Sequence, residues 1–223
     1  MRRPSEFSEG RLLQLIKTRA IIKKRKEKMK LEEVDIRGVV LETERLILRP
    51  FEEGDLNDFN AYARVEGVGE CAGWKHHDSL EESKKILDMF INGRRTFAIV
   101  DKSNGEVIGS VGIEKTEEEL YGKEITEKNA NEVGYVLSKD YWGRGLMTEA
   151  VKAVISYLFG TLKCDLVTCG HFVHNDRSRR VIEKCGFEYF GEGEYHAKTG
   201  RVFQSKNYVL TREEYYKKAG QTA

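Results

Sequence analysis

The sequence predicts a single α/β (α+β) domain, a central and largely antiparallel sheet with helices on both faces. Three observations carry this. Short strand-like apolar runs recur along the chain. Stretches with i, i+3, i+4 apolar spacing fall between them. At 223 residues and 39% hydrophobic, the chain is long enough to bury one full core.

The elements follow in order. Residues 45–51 alternate and read as a first strand. Residues 55–65 form a helix with Leu56, Phe59 and Tyr62 on one side. Residues 67–77 are a loop. Ser79 caps a second helix running to Asn92, with Glu82 completing a capping box. Residues 95–100 and 107–114 are strands joined by a hairpin turn at Asn104-Gly105. Residues 115–129 are charged and read as a long exposed connection with room for a helical turn. Residues 187–195 and 201–210 form a final hairpin, and 211–218 a terminal helix.

The most informative stretch is Tyr141-Trp142-Gly143-Arg144-Gly145-Leu146-Met147-Thr148-Glu149-Ala150. It follows a strand-like run, residues 131–137. It opens a helix-like run, residues 146–159, in which Met147, Ala150, Val151, Val154, Ile155 and Leu158 mark one face. The first backbone N–H groups of such a helix have no partner within it and, with the helix dipole, suit a phosphate. Gly143 and Gly145 would let a diphosphate approach the main chain, with Arg144 at the rim. An ordinary tight turn is the alternative. Neither GxxxxGK[ST] nor a dinucleotide GxGxxG fits.

A second motif lies some thirty residues on. After a strand at 166–169, Asn175 or Asp176 can cap a helix that Gly186 closes, with Lys184 in its last turn. Phe187 then starts a new strand. Strand, glycine turn, helix, strand, Asn-x-x-Ser helix and Gly-Phe strand together resemble the GNAT superfamily of acetyl-CoA-dependent N-acetyltransferases. The opening Glu42-Thr43-Glu44-Arg45-Leu46-Ile47-Leu48-Arg49-Pro50-Phe51 resembles the first strand of its ribosomal-protein-alanine acetyltransferase-like branch. The resemblance covers residues 41–215.

The resemblance implies the GNAT fold, with two strands, 131–137 and 166–169, splaying apart around the pantetheine arm of acetyl-CoA. The main chain of Val133, Gly134 and Tyr135 would meet that arm, a backbone N–H there facing the thioester carbonyl and Gly134 fitting a local bulge. The diphosphate would rest on the N–H groups of Gly143, Arg144, Gly145, Leu146, Met147 and Thr148. Trp142 and Met147 stand where the family more often has Gln/Arg and Gly/Ala, which bears on side-chain contacts and not on the backbone donors. Asn175 matches a position that contacts the cofactor arm, and can equally be the cap alone. Arg144, Arg179 and Arg180 are candidates for the cofactor phosphates.

Transfer of acetyl to an amine needs a base for the ammonium, a donor for the oxyanion and a proton for the thiolate. Glu132, beside the thioester in this scheme, is the candidate base. His171 and His174 are rivals, since imidazole titrates near neutrality. Ser178 falls near the sulfur and either relays a proton or hydrogen-bonds it. On the acceptor side, Trp74 is either a cleft wall or a core residue, and Tyr195 and Phe203 can cover the cleft.

Net charge +1 gives no global pull toward nucleic acid or acidic membrane, and no apolar run has the length of a membrane span. Cys71, Cys164, Cys169 and Cys185 show neither CxxC pairing nor ligand-like spacing, as expected of free thiols in a cytoplasmic protein without a metal. The expected activity is direct acetyl transfer to a primary amine, a protein N-terminus or a small molecule, by a monomer or homodimer. Residues 1–40 are a basic extension, 41–218 the GNAT domain and 219–223 a tail. Met29 is an alternative natural start. The rival from another class is a non-catalytic acyl-CoA-binding or RNA-associated module that uses the basic arm.

Overall fold

The computed structural model describes residues 34–197, 200–218 and 220. Internal contacts divide the chain after Glu33, and the expectations for the basic arm and for Met29 lie outside the described residues. The compact unit takes in more than residues 41–218: Val34 and Ile36 are 6% and 1% exposed and belong to the main core.

The strands are β1 (Leu41–Glu42), β2 (Leu46–Pro50), β3 (Thr96–Asp101), β4 (Val107–Lys115), β5 (Ala130–Leu137), β6 (Leu166–Phe172), β7 (Glu188–His196) and β8 (Val202–Thr211). The helices are α1 (Leu56–Ala63), α2 (Leu80–Gly93), α3 (Glu118–Tyr121), α4 (Lys123–Thr126), α5 (Leu146–Gly160), α6 (Asp176–Lys184) and α7 (Arg212–Lys218). The strands form one sheet in the order β1-β2-β3-β4-β5-β6-β8-β7. Every neighbouring pair is antiparallel except β5–β6, which is parallel.

Strand alternation sends successive side chains to opposite faces. Phe97 and Ile99 of β3 enter the core under α5, with Val151, Val154 and Leu158. Ala98 and Val100 enter a second core with Phe59 and Tyr62 of α1 and Leu87 of α2. The two-faced core thus follows from the apolar stripe of each helix. Ser79 caps α2 by accepting from the Glu82 N–H at 3.1 Å, while the Glu82 carboxylate reaches back to the Asp78 N–H.

Two expectations are corrected here. Gly134 forms no bulge, because β4 and β5 stay in register from Gly109↔Leu137 to Lys115↔Asn131. Residues 115–129 are not simply an exposed connection. The helical turn is present, as α3 and α4, but the exposure is not complete: Tyr121 is 2% exposed, its ring 5.7 Å from that of Phe190. Leu120 and Tyr121 are adjacent apolar residues in a stretch rich in charge. They cover a part of the sheet that Gly170 and Gly193 leave bare.

Candidate active site

The parallel pair β5–β6 holds for three rungs only: Ala130↔Leu166, Asn131↔Val167 and Glu132↔Thr168. Beyond them the strands diverge. The β4–β5 ladder turns Ser138 N–H toward Ile108 and leaves Leu137 C=O pointing away from β4. By alternation the main-chain groups of Tyr135 face the gap. That gap belongs to a continuous cleft of about 490 Å³.

At one end of the cleft stands the N-terminus of α5. Gly143 and Gly145 have φ of 77° and 79°, in the left-handed region that favours glycine. Nothing lies within 4 Å of a Cβ built on Gly143, and only Arg45 Nη2, at 3.7 Å, near one on Gly145. The turn is held from behind. Arg45 Nη1 donates to Arg144 C=O at 3.0 Å, and Arg45 pairs with Glu149 at 2.6 Å. Glu149 also accepts from the Thr43 hydroxyl and the Arg45 N–H. The Glu42–Arg49 segment, read from the sequence only as a strand, is therefore also the buttress of the glycine turn.

Trp142 has a different task from a phosphate donor. Its Nε1–H donates to Leu137 C=O at 2.8 Å, tying the turn to the end of β5, and its ring carries the Arg177 guanidinium at 4.2 Å. Arg177, Arg180 and Lys184 line the cleft from α6. Arg179 does not, being turned away to pair with Asp176 at 3.1 Å and Glu183 at 3.3 Å. The sequence held the signal: Arg179 has acids at i−3 and i+4, whereas 177, 180 and 184 share a face. The Arg144 guanidinium stacks over Tyr141 at 5.0 Å, outside the cleft lining.

The middle of the cleft joins β5 to α6. Asn175 Oδ1 accepts from the Ser178 N–H at 3.1 Å, making the cap, and its Nδ2 donates to Cys71 C=O at 3.3 Å. The hydroxyls of Ser178 and Tyr135 lie 2.8 Å apart. Burial raises the Tyr135 phenol well above its ordinary range, so it stays protonated beside Ser178.

At the far end sits Glu132. It faces Glu114 directly across the β4–β5 ladder, an unfavourable arrangement for two ionised carboxylates. Burial, then the charges of Glu117 and Glu114, push its pKa up to about 8. Glu114, Lys115, Glu117, Leu120 and Tyr195 line the same end. The cleft is thus basic near α5 and predominantly acidic near β4.

His171 also borders the cleft, but both its ring nitrogens are engaged. Nδ1 is 2.8 Å from Phe172 C=O and Nε2 is 3.1 Å from the Tyr208 hydroxyl. Since the carbonyl only accepts, Nδ1 carries the hydrogen and Nε2 accepts from Tyr208. His174 stacks on Phe172, whose ring also stacks on Phe203. Trp74 packs over Gly69 and beside His77, against the second core, leaving Val68, Cys71 and Ala72 as the wall. Cys164, Cys169 and Cys185 are buried and free, and Cys71 is half-buried. Among the described residues no cluster suited to a metal ion is found, and no helix is long and apolar enough to cross a membrane.

Residues 45–188, more than half of the chain, match the acetyltransferase (GNAT) domain family. The chain belongs to the GNAT acetyltransferase family. An uncharacterized N-acetyltransferase of Bacillus subtilis strain 168, YoaA, is 25% identical over 181 residues, 78% of this chain and 97% of that protein. The ribosomal protein uS5-alanine N-acetyltransferase of Escherichia coli K12 is 26% identical over 167 residues, 69% of this chain and 80% of its own. Among solved structures, a GNAT acetyltransferase from Bacillus anthracis superposes with a TM-score of 0.68 at 20% identity, covering 78% of this chain and 99% of its own. A ribosomal-protein-S5-alanine acetyltransferase from Vibrio fischeri gives 0.61 at 21% identity, covering 79% and 98%. Membership of the GNAT family implies acetyl-CoA as the acyl donor. The open glycine turn at a helix N-terminus and the diverging strand pair suit its diphosphate and its amide-bearing arm.

Proposed function

We propose that this GNAT acetyltransferase moves an acetyl group from acetyl-CoA directly to a cationic primary amine, without a covalent enzyme intermediate. The observation that carries this is the polarity of one cleft: an anion-receptive turn at one end, a raised-pKa carboxylate at the other, and a split strand pair between them.

The N–H groups from Gly143 to Thr148 would take the diphosphate, with Arg177, Arg180 and Lys184 answering the remaining phosphate charge. Tyr135 main-chain groups would pair with the pantetheine amides as an added strand does. When bound, acetyl-CoA supplies the activated acyl thioester.

The chain's own groups do the rest. Glu114, Glu117 and Glu132 draw in the ammonium. Glu132 takes its proton, directly or through water. A carboxylate titrating near 8 is better matched to an amine than one near 4.5. A β5 N–H facing the gap stabilises the oxyanion. Ser178 passes its hydroxyl proton to the departing sulfur and regains one from water, its hydroxyl held 2.8 Å from that of Tyr135, which stays protonated throughout. His171, its nitrogens already engaged, holds the wall and is not the base. No residue acts as a nucleophile.

The relatives that acetylate ribosomal protein uS5 support a protein N-terminus as acceptor, and the acidic end suits any ammonium. Thiol release from acetyl-CoA, followed across a panel of N-terminal peptides and small amines, tests the reading. Tight acetyl-CoA binding with no release for any acceptor would refute it and leave a binding module.

A further inference from the structure

Asn207 is 1% exposed and lines the acidic end of the cleft. Its register places it there: Asn207 pairs with Gly170, two residues along β6 from Thr168, which itself pairs with Glu132. Strand alternation puts the side chains of Glu132 and Asn207 on the same face. Asn207 Oδ1 shares the single Ser205 hydroxyl hydrogen, at 3.2 Å, with Gly193 C=O at 3.1 Å, whereas Nδ2 has no partner. Buried amide donors are nearly always paired, so one left over at the end of a cleft points to a ligand acceptor.

The surroundings keep that position open. A Cβ on Gly170 would come within 3.1 Å of Asn207 Oδ1 and 3.8 Å of the Tyr121 hydroxyl. A Cβ on Gly193 would lie 3.0 Å from Nδ2 and 2.8 Å from Leu120 Cδ2. Gly134 on the facing strand is bare. Leu120, the end of a flexible side chain on α3, is the group an entering ligand would displace.

We infer that the acceptor is held at two points, its ammonium by Glu132, Glu114 and Glu117 and a carbonyl oxygen close to it by Asn207 Nδ2. From the strand spacing and rise, the Cα atoms of Glu132 and Asn207 lie roughly 12 Å apart. A glutamate, an α-amino acyl group and an asparagine together bridge that distance. An ammonium with a neighbouring carbonyl is a peptide N-terminus or an α-amino amide. A polyamine has no such oxygen and would leave the donor unpaired. This inference rests on reading the cleft as an acetyltransferase site.

The test compares two acceptors by thiol release, a short peptide amide with a free N-terminus and an alkylamine of matched length, on the wild type and on Asn207→Leu. The expected result is a fall of at least tenfold in the peptide-to-alkylamine ratio of kcat/KM, arising mainly in the peptide KM. The amines' own ionisation divides out of that comparison. Equal losses on both acceptors or an unchanged ratio would overturn the inference and make Asn207 structural, its donor satisfied by water. If the leucine variant fails to fold, Asn207→Asp, the same size with an acceptor in place of the donor, decides by the same ratio. Absence of thiol release from both acceptors with the wild type would instead strike the acetyltransferase reading itself.

Discussion

Replacing Glu132 by Gln keeps the shape of the site and removes the proton acceptor. Two routes can feed the reaction: an ionised Glu132 acting on bound ammonium, and amine that is already neutral. Only the second survives in Glu132→Gln. Below the pKa of Glu132, each pH unit raises ionised glutamate tenfold relative to the protonated form and raises neutral amine over ammonium by the same factor. The ratio of wild-type to mutant rate is therefore flat. Above that pKa, glutamate ionisation saturates while neutral amine keeps growing, and the ratio falls. With the break at about 8, a loss of about a hundredfold at pH 6–7 should shrink to about tenfold at pH 9 and about twofold at pH 10. The pKa of the acceptor cancels from the ratio, so any amine that turns over will serve. The assay is thiol release at saturating acetyl-CoA from pH 6 to 10. A ratio near one at pH 7 would remove Glu132 as base. A ratio falling steadily through pH 6–8 would show a carboxylate of ordinary acidity and refute the burial argument.

Four further outcomes are expected. The folded pKa of Glu132 lies above its unfolded value of about 4.5, so its protonated form stabilises the protein below pH 4.5 and that contribution is lost as pH rises through about 8. Glu132→Gln should thus melt progressively higher than the wild type between those limits, by on the order of 1–2 kcal/mol once solvent screening is allowed for, as a calorimetric pH series would check. Gly145→Asp places a negative side chain at φ 79° beside the α5 N-terminus and should weaken acetyl-CoA binding at least roughly tenfold by calorimetry; unchanged affinity in a folded protein would discard the assigned turn. Arg177→Gln should weaken the same binding several-fold, while Arg179→Gln, which loses only its pairs with Asp176 and Glu183, should not, and the reverse ranking would reassign the phosphate side chains. Ser178→Ala should lower kcat roughly tenfold or more with little change in KM for the acceptor, and an unaltered kcat would leave water as the proton source.

The order of strands and helices was legible because each carries its own period and its own punctuation. The glycine turn was legible because its residues are consecutive. What was not legible came from contacts distant in sequence. Arg45 meets Glu149 across 104 residues and Trp142 turns out to serve Leu137 and Arg177. His171 was a rival base in the sequence, and the contacts of both its nitrogens with Phe172 C=O and Tyr208 could not be read there. Trp74 was equally consistent with wall and core, and packing over Gly69 sends it to the core side. Glu132 was nameable from its strand, but its raised pKa comes first from burial in the folded cleft, then from Glu117 and from Glu114 across the ladder. Asn207 carries no sequence signal at all; it is one polar residue in a strand, and only the missing partner of its Nδ2 marks it.

The diverging pair β5–β6 gives this sheet four edges in place of the usual two. The outer pair, β1 and β7, faces solvent; the inner pair lies at the centre of the fold. Edges are interchangeable hydrogen-bonding templates, since every residue but proline offers the same N–H and C=O. The half of the cleft built on an inner edge and two turn glycines therefore rests on main-chain groups first, with Arg177, Arg180 and Lys184 adding charge. The half beyond Glu132 is written in side chains: Glu114, Glu117, Leu120, Tyr195 and Asn207. Exchanging those could retarget the protein to another amine while the donor half went on working unchanged, so the two specificities of the cleft are separable parts.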